Sequence, residues 1–278
     1  MAETPIAALR DAAVAREPDR YFAATLAPVT VRYDLIVLAA FAAELANIPA
    51  QVREPLAGEI RLQWWRDALA PGGHDVAAGH PVATAMRASI TRHTLPAEII
   101  DAVIDTFADV LYGDRPADEA ALRAHMAAGE GGLFRLAARI CAAEEIAEIG
   151  HLTRAAGLAY GLSRALLRLP AGGARLPLLR SWRADEAAAQ AGDHDEPPLP
   201  SPSIEALSSL AHAALSEVAP QLAKMSRAKR LPFLPLAMVR PNLRALETWS
   251  RRREAASIEP LQIGRLLRIT WAHASGRL

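Results

Sequence analysis

The chain has almost no cysteine. Cys141 stands alone, so no internal disulfide can form, and no metal-ligand spacing surrounds it. Its place in FRLAARICAA fits a small buried hydrophobe rather than a nucleophile. Charge excess is also missing. Lys+Arg and Asp+Glu both total 31, which argues against a nucleic-acid partner. Nearly all the basic residues are Arg, read as a coding bias. No run of 18 or more apolar residues is present, so no membrane span is expected and membrane contact would be peripheral at most. Clusters of β-branched residues and alternating strand patterns are scarce. Residues 1–20, MAETPIAALRDAAVAREPDR, lack a basic stretch followed by an apolar one, so a secretory leader is not expected. Glu3, Asp11, Glu17 and Asp19 weaken a transit-peptide reading.

What remains is helical. Alanine is abundant in a chain of 278 residues that is 51% hydrophobic and 22% charged. Helices are expected near 4–15, 30–47, 51–70, 79–93, 96–112, 117–142, 144–169, 203–227, 240–254 and 259–274. Breaks are expected at Pro28, Pro49, Pro71-Gly72-Gly73, Pro96, Pro116, Pro170, Pro232 and Pro260. Asp118 and Ser203 are candidate N-caps. The Pro-, Gly- and acid-rich residues 192–202 read as a flexible loop. A C-terminal piece of about 75 residues would bury its own core poorly, so 1–278 is read as one domain.

Several features resemble the squalene/phytoene synthase family. They are Tyr21-Phe22 followed by Pro28, Arg32, Leu38 and Phe41; the Trp64-Trp65-Arg66 helix; and GLAYGLSRALLRLP at 157–170 followed by Leu176-Pro177. Their order covers roughly residues 18–275. The resemblance implies an all-α isoprenoid-synthase-type bundle around a central cavity. It also implies Mg²⁺ held by two aspartate motifs, for head-to-head condensation of farnesyl or geranylgeranyl diphosphate.

The residues at those slots do not suit magnesium. The first pair of slots falls on Ala46 and Ala50, with Asn47 alongside and Glu44 the one carboxylate nearby. The second set falls on Gly161, Arg164, Arg168 and Gly172. A guanidinium where a metal belongs repels it. At 100° per residue, Gly157, Gly161, Arg164 and Arg168 share one helix face. Two roles are open for Arg164 and Arg168. They form ion pairs with Glu or Asp, or they make a metal-free anion site, since two guanidinium forks one turn apart can bind phosphate or carboxylate directly.

Helix 51–70 carries apolar stripes on two sides, Leu62, Trp65 and Leu69 on one and Ile60 with Trp64 on the other, which predicts packing between neighbouring helices. Glu59, Gln63, Arg66 and Asp67 form a polar band between them, facing water or the cavity. In the second case Glu59 and Asp67 would neutralise Arg164 and Arg168. The candidate ligand cavity therefore comprises Arg164, Arg168, Glu44, Asn47, Glu59, Gln63, Arg66 and Asp67, with no catalytic residue, metal or cofactor assigned.

Other signals are weaker. His74, His80, His93 and His125 lack zinc spacing, Gly129-Glu130-Gly131-Gly132 lacks the context of a phosphate loop and reads as a helix irregularity, and Ser163 has no nucleophile elbow. Arg251-Arg252-Arg253 with Lys224, Arg227, Lys229 and Arg230 reads as a solvated face, with anionic lipid as the alternative contact.

The segments AFAAELANIP, EPLAGEIRLQWWRDAL and HPVATAMRASITRHTLP are similar to the branch of the family that assists assembly of mitochondrial NADH dehydrogenase complex I. That resemblance implies a non-catalytic assembly or lipid-binding factor. Its partner would be a complex I subunit or assembly intermediate, or a prenyl lipid. A bacterial, cytoplasmic setting at or near the inner membrane is expected, or the mitochondrial matrix in a eukaryote. The other reading is an active prenyl transferase, with Mg²⁺ held by a site rebuilt from Glu44, Glu59, Asp67 or Glu130.

Overall fold

The computed structural model describes residues 5–112, 116–141, 149–168, 201–252 and 260–278. Every regular element among them is a helix. The chain runs α1 (Pro5–Arg16), α2 (Pro18–Thr25), α3 (Val29–Gln51), α4 (Pro55–Leu69), α5 (His74–Ala77), α6 (Pro81–His93), α7 (Ala97–Tyr112), α8 (Glu119–Ala128), α9 (Glu130–Cys141), α10 (Gly150–Leu167), α11 (Ser201–Lys224), α12 (Arg227–Arg230), a 3₁₀ stretch (Leu231–Met238), α13 (Val239–Arg252) and α14 (Gln262–Ser275).

Local chemistry sets many of these ends. Proline opens α2, α4 and α6, where its missing N–H costs nothing. Asp118 accepts from the Ala121 amide at 2.8 Å and caps α8. Thr94, at φ 48°, and Gly276, at φ 73°, close α6 and α14 in the left-handed conformation.

Four expectations are corrected. Pro49 does not end α3, which runs to Gln51; a proline in the last turn forfeits one bond and the helix stops two residues later. The helix expected over 117–142 is split at Gly129, whose backbone (φ −75°, ψ −85°) leaves the helical region. Ser203 is not a cap, because α11 already begins at Ser201. Residues 231–238, LPFLPLAM, form a buried 3₁₀ stretch where only a break at Pro232 is expected. Of the loop expected over 192–202, residues 192–200 lie outside the described residues, as does Gly172, and residues 201 and 202 are already helical at the start of α11.

Two apolar clusters surround the long helices. One is built on α3, whose Val37, Leu38, Ala39, Ala40 and Phe41 are buried together, with α1, α2, α6, α7 and α9 against it. The other is built on α10, buried nearly all round and packed by α8, α9, α11 and α13. Helix α9 serves both, giving Leu136 to the first and Phe134 to the second. Gly157 makes the close approach possible. A Cβ there would lie 2.4 Å from the Gly131 nitrogen.

Candidate functional site

A cavity of about 560 Å³ lies where these layers meet. Helix α3 contributes Ala46, Pro49 and Ala50 to its wall, and α10 contributes Gly161, Arg164, Ala165, Leu167 and Arg168. Phe107, Val110, Met126 and Leu133 add apolar surface from α7, α8 and α9. Glu17 and Asp19 enter from the junction of α1 and α2, and Gln262 and Arg265 from the first turn of α14. The 3.6-residue period explains the α10 face: 161, 164, 165 and 168 recur within one sector.

The charges on this wall are paired in an ordered way. Arg164 lies 2.6 Å from Glu17 and 3.1 Å from Glu130, and also donates to the Arg16 carbonyl at 3.0 Å. Arg20 lies 2.5 Å from Glu130 and 3.6 Å from Glu17. Arg265 lies 2.7 Å from Asp19, which also accepts from the Tyr160 hydroxyl at 3.1 Å. The Tyr160 ring is contacted by two guanidiniums, Arg20 at 5.0 Å and Arg164 at 5.3 Å. All three acids are thus engaged by arginines. Arg16 and Arg168 are the remainder: both line the cavity, and neither side chain has an ion pair or hydrogen bond among the described residues.

Protonation follows from this layout. Burial pushes the Glu130 carboxyl up, but Arg20, Arg164 and Arg168 outweigh it and hold it below the usual carboxylate value. Burial opposes the charge on Arg164, yet Glu17 and Glu130 make that guanidinium hold its proton more tightly than usual. Arg168 goes the other way. The neighbouring Arg164 charge, then burial, lower its value, and Glu17 and Glu130 compensate only in part. It stays protonated at neutral pH, as a cation short of negative charge. Asn242 is fully buried against the same cavity, and neither of its side-chain amide atoms has a hydrogen-bond partner.

The structure separates the candidate residues. Arg164 and Arg168 both face the cavity, but Arg164 is committed to an internal ion-pair network and Arg168 is not. Glu44 and Asn47 are half-buried on α3 and lie outside the wall. The α4 band turns to the outer surface, not the cavity. Arg66 pairs with Asp105 of α7 at 2.5 Å, Gln63 donates to Asp67 at 2.8 Å, and Glu59 accepts from the Tyr112 hydroxyl. Glu59 and Asp67 therefore do not neutralise Arg164 and Arg168; Glu17 and Glu130 reach Arg164 instead. Nor is α4 enclosed on two sides: Leu62 and Trp65 are buried, whereas Ile60 is 64% exposed. Trp64 and Trp65 both pack against the His80 ring, and Trp65 also meets Phe41 edge-on.

Glu17, Asp19, Arg20, Tyr160, Asn242 and Arg265 were not singled out from the sequence as site residues. The one available signal was the charged run Arg16-Glu17-Pro18-Asp19-Arg20 just before Tyr21-Phe22. Glu44, Glu59, Asp67 and Glu130 are not brought together. Among the described residues, no group of three or more His, Cys, Asp or Glu side chains is placed to hold a metal. No described helix is long and apolar enough to cross a membrane.

Comparison with known proteins agrees with this architecture. A crystal structure titled squalene synthase HpnC, from Alicyclobacillus acidocaldarius, superposes with a TM-score of 0.65 at 14% identity, covering 87% of this chain and 93% of that one. Likeness at that identity establishes the all-α squalene synthase fold. Curated proteins give no significant match to the sequence. The model of the squalene/phytoene synthase family matches residues 14–260, nearly the whole chain, and the protein therefore belongs to the squalene/phytoene synthase family.

Proposed function

We propose that this protein is a non-catalytic member of the family that binds an anionic prenyl-type amphiphile in its cavity without Mg²⁺ and acts as an assembly or lipid-binding factor. One observation carries the reading: among the described residues, the side chains of Arg16 and Arg168 on the cavity wall have no ion-pair partner, while Glu17, Asp19 and Glu130 are all engaged by other arginines. The wall has surplus positive charge, and each of its three carboxylates already lies within ion-pair distance of an arginine. Magnesium prefers several hard oxygen ligands. The slots that the family resemblance assigns to aspartate hold Ala46, Ala50, Arg168 and Gly172 here, so the residues present do not fit the metal. Guanidinium groups can hold a phosphate head directly, and Phe107, Val110, Met126 and Leu133 suit an isoprenoid tail.

Native mass spectrometry with farnesyl diphosphate in EDTA tests the binding reading. One bound equivalent is expected, lost in the Arg16→Ala/Arg168→Ala double variant. Binding that requires Mg²⁺ would overturn it.

The assembly role rests on the likeness of residues 40–49, 54–69 and 80–96 to the complex I assembly-factor branch. Deleting the gene should lower complex I activity; unchanged activity and subunit levels would remove that role. A second reading, an active head-to-head prenyl transferase, is favoured by the structural likeness to a protein titled squalene synthase. Turnover of farnesyl or geranylgeranyl diphosphate with Mg²⁺, at the rate of an authentic synthase, would establish it and end the non-catalytic reading.

A further inference from the structure

Helix α14 carries apolar residues on two opposite faces. Its inner stripe, Arg265, Ile269 and Ala272, is buried. Ile263, Leu267 and Trp271, spaced four apart, lie on the opposite side at 100° per residue. They are 67%, 64% and 46% exposed. Leu261, just before the helix, is 77% exposed. A surface helix ordinarily shows polar residues there, and single exposed apolar side chains need no explanation, but an aligned stripe does.

The stripe is flanked by arginines. Arg268 sits over the Trp271 ring at 4.9 Å, and Arg240 and Arg244 of α13 lie near Arg268. Arg227 and Arg230 lie near His273 at the other end of the helix. Arg230, Arg240 and Arg268 donate to the Met225, Leu278 and Ala237 carbonyls. None of the five has a carboxylate side-chain partner among the described residues. An apolar stripe with a tryptophan, bordered by unneutralised arginines, has the chemistry of a helix lying in a bilayer interface.

We infer that the outer face of α14 docks on an anionic lipid bilayer, with Ile263, Leu267 and Trp271 entering the interface and Arg227, Arg230, Arg240, Arg244 and Arg268 meeting the headgroups. Charge decides between occupants. A second copy would bring the same five arginines against their own images, which like-charge repulsion opposes. Anionic headgroups complement them. The first turn of the same helix supplies Gln262 and Arg265 to the cavity wall, so the docked helix has the cavity on its inner side. The inference does not depend on what the cavity holds.

The test is flotation of the full chain with phosphatidylcholine vesicles, with and without phosphatidylglycerol, at low and high salt. Binding to the anionic vesicles is expected, weakened about tenfold or more by high salt or by omitting the anionic lipid. The Ile263→Asp/Leu267→Asp variant should lose binding by a similar factor. Its thermal midpoint should stay unchanged, since both side chains are largely exposed. A second variant, Arg240→Gln/Arg244→Gln, should weaken binding to anionic vesicles alone. Absence of binding to anionic vesicles, or equal binding by the apolar-face variant, would overturn the inference. So would a dimer seen by light scattering that the apolar-face variant abolishes.

Discussion

Arg164 lies 2.6 Å from Glu17, tying the second core helix to the junction of α1 and α2 across the cavity wall. The same guanidinium reaches Glu130 at 3.1 Å, so one side chain joins three parts of the chain that are distant in sequence. Arg168, one turn further along α10, has no such duty. Two arginines that look alike in the sequence are therefore expected to behave differently on replacement.

Arg164→Ala leaves Glu17 and Glu130 buried with less compensation and should lower unfolding free energy by about 3 kcal/mol. Arg168→Ala removes an uncompensated cation and should change stability by less than about 1 kcal/mol. Urea unfolding separates the two. Equal losses would mean that Arg168 is as structural as Arg164.

The two glycines on α10 give a second contrast. A Cβ at Gly157 would meet backbone: the Gly131 nitrogen at 2.4 Å, its Cα at 2.7 Å and the Met126 carbonyl oxygen at 2.7 Å. At Gly161 it would meet the flexible Met126 sulfur at 2.5 Å and Glu130 Cγ at 3.1 Å. Gly157→Ala should cost about 3 kcal/mol through overpacking, and Gly161→Ala clearly less. Thermal unfolding of both variants measures the order.

Acid should destabilise the protein through identifiable groups. Asp34 is buried, which raises its pKa, but hydrogen bonds from His93 (2.9 Å), Ser89 (2.5 Å) and Arg92 (2.5 Å) bring it below the ordinary 3.8. Glu130 is held below its ordinary 4.5. A carboxyl depressed in the folded state stabilises above its unfolded value, and that stability is lost as pH falls through the folded value. His125 adds to the same limb. Burial lowers its pKa despite Asp109, so the unfolded chain takes up the proton first as pH drops below 6.5. Urea midpoints measured from pH 7 to pH 3 should fall, and Asp34→Asn should flatten the steepest part while lowering stability at pH 7.

Cys141 should be inert in the folded protein. Burial pushes its thiol up to about 12, so thiolate is scarce at pH 8. Alkylation at pH 8 should be slower by about a hundredfold or more than in urea. Fast labelling of the native chain would show the thiol to be accessible.

Much of the fold was legible because its causes are local. Helix-favouring composition gave the all-α class, and prolines at 18, 55 and 81 stand at the first positions of helices. Period alone put Gly157, Gly161, Arg164 and Arg168 on one face of α10; the last three line the cavity, whereas Gly157 packs against Gly131. Pro49 misled because a proline weighs differently in the last turn of a helix than in its middle. The α4 band misled for another reason. Its polar residues have partners on α7, and no pattern within α4 says which neighbour it will face.

The sequence by itself determined the all-helical class, many of the helix starts, and which side chains share a face, among them Gly161, Arg164 and Arg168. Those properties depend on residues a few positions apart. Only the tertiary structure decided that Glu17 and Glu130 satisfy Arg164, that Arg16 and Arg168 line a cavity without an ion pair among the described residues, and that an apolar stripe of α14 faces outward. Each of these depends on which distant segments pack together. Packing sums many weak contacts over the whole chain, so no local pattern announces it.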